Sequence, residues 1–272
     1  SCELTSENAQ KIYDEFQEKL KSPEFLPRNL FDAFNIEVIS TTDAAEDDLQ
    51  AHKDIRNSDW DGNVIPSFRP DSVTDIARPD WLSSIRKLGD VVGYEISKYS
   101  DLLKALKQRR QYFIDNGAVA TDQGVTTAYT HLLRDIDAKR IFQKALDRNH
   151  TEKDAMVFTA HMLMKMVEMS VEDGLVMQIH PGVLRNHNQV VFDKFGLDKG
   201  CDIPVQTEYT RNMRELLNRY GNEPNLSIIL FTLDEDTYSR ELAPLAGHYP
   251  ALKLGPAWWF NDSIEGMTRF RE

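Results

Sequence analysis

His180 stands at the end of the apolar run Val176-Met177-Gln178-Ile179 and just before Pro181-Gly182. A histidine there can polarise a carbonyl, move a proton, or ligate a metal through neutral imidazole. A buried, hydrogen-bonded structural histidine fits the same pattern equally well. Arg69 closes a second run, Asn63 to Phe68, where its guanidinium could clamp a carboxylate with two parallel hydrogen bonds. It could equally pair with Asp71 or with a helix carboxylate. Asp122 and Asp43 follow two further runs and could orient a histidine or hold substrate hydroxyls. Aspartate after a strand is also a common helix cap, the favoured reading for Asp43. Arg185-Asn186-His187-Asn188 offers donors suited to a polyol or to a solvated turn. In Trp258-Trp259-Phe260 one ring could wall a site while another packs in a core.

These residues gain meaning from the elements that must hold them. Six short strand patterns occur: 36–40, 63–68, 118–122, 176–179, 227–232 and 251–254. Helical patterns separate them. Ile12, Tyr13, Phe16 and Leu20 share one face of a helix that Thr5 or Ser6 would cap, and 46–55 reads as helical. Residues 101–116 form a helix stopped by Gly117, and two helices fill 126–170. The Met156, Leu163, Met166 and Val167 stripe of the second reads as core rather than as a cofactor box. Pro204 marks a helix start, with Tyr209, Met213, Leu216, Leu217 and Tyr220 on its apolar face. Strands alternating with helices imply parallel βαβ units, whose ligand sites lie at the carboxyl ends of the strands. Asp43, Arg69, Asp122, His180, Asp234 and Trp258 all fall at such ends, which makes them one constellation.

With 272 residues, 41% hydrophobic and 28% charged, the chain can bury a substantial core. A net charge of −12 argues against nucleic acid or an anionic membrane as partner. It leaves a small anionic substrate open, because one or two arginines in a cleft suffice for a carboxylate. No apolar run approaches the ~20 residues of a membrane helix. Two cysteines, Cys2 and Cys201, form no metal spacing or disulfide framework, so a cytoplasmic location is expected. Phosphate-binding glycine loops, His-x-His, His-Glu-x-x-His and Gly-x-Ser-x-Gly are absent from the sequence. From the residues alone, the reading stops at a parallel α/β domain with a polar site on strand ends.

Several segments then resemble the uronate isomerases in order. Thr41-Thr42-Asp43 with Asp47-Asp48-Leu49 and His52, and Pro66-Ser67-Phe68-Arg69-Pro70-Asp71, are similar to that family's paired TTD…DDLxxH and P-[ST]-[WF]-R-P-D segments. Gln178 to Asn188 resembles its Q-x-H-x-G-x-x-R-N-N-N stretch, and Gly196 to Asp202 its G-x-D-x-G-x-D turn. Gly255 to Asp262 with Glu265-Gly266-Met267 resembles its G-x-x-W-W-F-x-D-x-x-x-G-M signature.

The resemblance implies an α/β fold of the (β/α)8 TIM-type barrel, of the metal-dependent amidohydrolase-like kind. Here it would be incomplete, with strands two to seven in 36–272 after a helical lead-in, 1–35. It implies interconversion of D-glucuronate with D-fructuronate, and of D-galacturonate with D-tagaturonate, through a cis-enediol. His180 and Asp122 would be catalytic, and Arg69, Arg185 and Trp258 would bind substrate. A divalent metal, zinc by expectation, would find His180 as one candidate ligand and its main ligands outside this chain. Positions 187 and 181, histidine and proline here, depart from the family's usual asparagine and isoleucine, and Gln123 replaces the histidine of its S-D-H segment. A homo-oligomer is expected. A related metal-dependent sugar-acid or lactone hydrolase, or a non-catalytic sugar-binding fragment, are the alternatives.

Overall fold

The computed structural model describes residues 3–257 and 259–271. The chain divides into two compact units, Ser1–Thr41 with Leu49–Ile65, and Thr42–Asp48 with Pro66–Glu272.

In the first unit the helix Ala9–Leu20 begins after Asn8, not after Thr5 or Ser6. The Asn8 side chain instead accepts the Thr5 N–H at 2.8 Å, which turns the chain into the helix. The expected apolar face is present, but the helix buries no residue, and Tyr13, Phe16 and Leu20 are all more than half exposed. What packing the unit has centres on Phe31, edge-on to Trp60 at 5.0 Å with Arg28 over the indole. Nε2 of the buried His52 lies 2.7 Å from Thr41 Oγ1.

The sheet has six strands: β1 (Ile39–Ala44), β2 (Val64–Arg69), β3 (Ala120–Val125), β4 (Val176–Pro181), β7 (Ile228–Leu230) and β8 (Leu252–Leu254), in the order β1-β2-β3-β4-β7-β8. The pairs from β2 to β8 are all parallel. A strand forms near each expected place, although the first is shifted from 36–40 to Ile39–Ala44. β3 and β4 nevertheless run on past Asp122 and His180, so these two residues project from within paired backbone. The register sets Asp122 beside Gln178 and Gly124 beside His180, and alternation of side chains puts all four on one face.

Helices Trp81–Val92, Tyr99–Asp115, Asp135–Leu146 and Glu152–Asp173 form the packed layer of the second unit. Trp81 and Tyr99 converge on Phe142, and Tyr99 also meets Phe158. In the last of these helices Leu163, Met166 and Val167 are buried as expected, whereas Met156 is exposed. Two polar clusters inside the layer are hydrogen-bonded. Tyr99 Oη lies 2.6 Å from His161 Nε2, and the Leu133 N–H donates to Nδ1. Arg110 reaches Asp173 at 2.6 Å and Ser170 at 2.9 Å.

One expectation fails locally. Pro204 does not start a helix; it sits in β6 (Ile203–Pro204), antiparallel to β5 (Val183–Leu184), and the helix begins only at Arg214. A two-stranded ribbon tolerates a residue without an N–H at its edge, and the Val205 N–H bonds Gly182 O to close the loop. Tyr209, Met213, Leu216 and Leu217 are fully buried all the same.

Candidate functional site

The carboxyl ends of β2, β3 and β4 bring together three of the residues singled out from sequence. Asp122 Oδ1 lies 2.7 Å from His180 Nδ1. The contact favours the Asp122 carboxylate. Asp122 Oδ2 faces Arg69 Nη1 at 3.5 Å and accepts from Thr42 Oγ1 at 3.3 Å. Burial alone would raise the Asp122 pKa; His180, Arg69 and Thr42 more than offset it and hold the carboxyl below its ordinary value.

Arg69 also donates its Nε–H to Asp71 Oδ2 at 2.7 Å, and that same oxygen accepts the Gly124 N–H at 2.9 Å. Burial pushes the Asp71 pKa up, opposed by Arg69 and by the Gly124 amide, both of which favour the carboxylate. The pairing of Arg69 with Asp71, open as an alternative in the sequence, is therefore realised alongside the strand-end position. Asp71, Arg69, Asp122 and His180 form a row, with a carboxylate on either side of the guanidinium.

Phe231, just past β7, stacks on His180 with ring centroids 3.9 Å apart and planes inclined by 17°. Its carbonyl accepts from Tyr209 Oη at 3.0 Å, and a side chain at Gly255 would strike its ring. Neither contact could be found from sequence, where Phe231 is simply the next apolar residue of a strand.

Arg185 is placed differently. Its Nη1 pairs with Asp202 at 2.9 Å, and Asp202 also accepts the Asn186 N–H. Gly196, Asp198 and Gly200 all take positive φ, which explains the glycine and aspartate spacing of that turn. Asp198 lies 3.9 Å from Arg185, and its charge also reaches Arg69. Asp43 lies in β1, while the next helix starts at Gln50, so it is no helix cap; Asp234 does cap a short helix, accepting the Asp236 N–H. Trp258 lies outside the described residues.

Among the described residues no three His, Cys, Asp or Glu side chains converge to hold a metal ion. A catalytic zinc site takes about three protein ligands. Asp122 and His180 supply two at most, and Asp122 is already engaged by Arg69 and Thr42. The described residues do not by themselves fit a metal.

A sequence profile of the glucuronate isomerase family matches residues 1–271. The chain belongs to that family. The uronate isomerase of Brucella canis is 52% identical over 269 residues, which cover 99% of this chain and 58% of that protein. A crystal structure of glucuronate isomerase from Caulobacter crescentus superposes with a TM-score of 0.93 at 49% identity, covering 99% of this chain and 56% of that one. A uronate isomerase structure from Thermotoga maritima gives 0.88 at 27% identity, covering 97% and 58%. The chain thus spans little more than half the length of these relatives. No helix among the described residues is long and apolar enough to cross a membrane.

Proposed function

We propose that this chain supplies part of the active site of a cytoplasmic, homo-oligomeric uronate isomerase, an enzyme of carbohydrate metabolism. It would interconvert D-glucuronate with D-fructuronate and D-galacturonate with D-tagaturonate. The carrying observation is the convergence of Arg69, Asp122 and His180 on three adjacent parallel strand ends. In this reading 36–272 contributes strands two to seven of a (β/α)8 barrel of the amidohydrolase-like kind, and 1–35 is a helical lead-in.

Aldose–ketose isomerisation opens the cyclic hemiacetal and moves a proton between C2 and C1 through a cis-enediol. A positioned acid/base must carry that proton. His180 takes the role, its ring plane held by Phe231 and its Nδ1 edge by Asp122. Arg69 holds the substrate's carboxylate and Trp258 lines the sugar, while Arg185, paired with Asp202, holds the loop between β5 and β6. A divalent cation, zinc by expectation, would stabilise charge on the enediol oxygens. Its ligands would come chiefly from outside the matched segment, with His180 the candidate from this chain.

In the full-length protein, a coupled assay for ketose acid should detect turnover of D-glucuronate. Lactone hydrolysis without ketose formation would overturn the assignment in favour of a hydrolase. The 272-residue polypeptide alone should show no measurable isomerase activity and should lose divalent metal on dialysis. Stoichiometric retained metal together with turnover would refute the placement of the main ligands elsewhere.

A further inference from the structure

We infer that Asp71 and Gly124 are positioning residues that aim the two-nitrogen end of the Arg69 guanidinium at the substrate's carboxylate. The inference rests on the reading of Arg69 given above.

An arginine side chain has many rotamers, and a site that recognises a planar anion must select one. Here a single oxygen does much of the selecting. Asp71 Oδ2 accepts from both Arg69 Nε at 2.7 Å and the Gly124 N–H at 2.9 Å, so the guanidinium is tied through one carboxylate to the β3 backbone. That tie occupies the Nε edge. Nη1 faces Asp122 Oδ2 at 3.5 Å, and neither Nη nitrogen donates a hydrogen bond among the described residues. With the Arg69 side chain 29% exposed, the Nη1/Nη2 end is the one left to receive a carboxylate bidentately.

Gly124 is the other half of the device. A Cβ there would collide with Arg69 Nη2, and would stand 3.1 Å from Asp71 Oδ2 and 3.4 Å from Arg69 Cζ. Gly124 is not among the glycines with positive φ, so the position uses the missing side chain rather than conformational freedom. Nη2 of the guanidinium occupies the space a side chain would fill. Gly124 also pairs in register with His180, so the Arg69 cradle and the imidazole stand on neighbouring strands.

The test is a double-mutant cycle on the metal-loaded full-length protein, with kcat and KM for D-glucuronate and a urea midpoint for each variant. Gly124→Ala and Asp71→Asn should each raise KM by ~10-fold or more while kcat stays within about threefold, the signature of lost uniform binding. In an Arg69→Met background neither change should raise KM further, because the group they position is gone. Should Asp71→Asn fail to fold, Asp71→Glu keeps the charge while moving it, and the same rise in KM is expected. Additive effects in the Arg69→Met background, or an unchanged KM in folded Gly124→Ala, would overturn the inference. Arg69→Met with wild-type KM would instead sink the assignment of Arg69 itself, whatever the other variants do.

Discussion

Two arginines suggested by the same chemistry end up in unlike surroundings. Arg69 ends a parallel strand, holds two carboxylates, and keeps one end of its guanidinium open. Arg185 sits in the loop between β5 and β6, where Asp202, itself 4% exposed, takes one of its nitrogens. The first pair is built on paired backbone that cannot easily shift. The second closes a turn made of left-handed residues, where the ion pair helps to hold the loop shut. Residue type proposed both as substrate ligands. The element each one stands on separates them.

The largest effect should come from the rigid region. His180→Asn in the full-length enzyme should lower kcat by ~10²-fold or more with the fold intact, because the acid/base group is removed from a fixed position. If kcat per folded molecule stays at the wild-type value and only the urea midpoint falls, His180 is a core histidine and the strand-end cluster loses its centre. Next, Arg69→Met should cut kcat/KM by about 10- to 100-fold, the equivalent of ~1.5–3 kcal/mol for a charge-assisted contact. A melting temperature lower by several degrees with unchanged kcat/KM would make Arg69 resemble Arg185 after all. The smallest catalytic effect is expected for Arg185→Met, less than about fivefold in kcat/KM. Its main consequence should be structural, because Asp202 would be left buried without its cation, a loss of ~1–3 kcal/mol. Faster proteolysis within 186–201 would report it. A drop in kcat/KM as large as that of Arg69→Met would erase the distinction between the two regions.

How far the sequence could anticipate this follows from the range of the interactions. Most of the strands, and Arg69 and His180 near their ends, were legible because period-two patterning and position after an apolar run are local; Asp122, expected at an end, stands inside β3. The partners were less so. Asp71 stands only two residues from Arg69, whereas Asp202 lies seventeen positions beyond Arg185, past a short helix and a turn. Stacking of Phe231 on His180, and the space at Gly124 and Gly255, depend on neighbouring strands meeting in one register, which composition does not encode. Pro204 misled because a proline suits a helix start and a ribbon edge alike.

The His161 pocket carries a consequence for how the molecule meets acid. Leu133 donates to Nδ1, so the neutral ring keeps its proton on Nε2, toward Tyr99. A second proton would set N–H against N–H. Burial accordingly pushes the His161 pKa down to about 4. An unfolded chain would take up that proton near the ordinary histidine value of about 6.5. The stabilisation is therefore complete above that value and drains away as pH falls toward about 4. Asp122 behaves oppositely: its depressed carboxyl keeps its contribution until the pH drops below the usual carboxylate range. Acid should therefore loosen the helical layer while Asp122 is still ionised. Urea midpoints falling steadily between pH 7 and 4.5, and a flatter profile in His161→Gln, would trace that order of events.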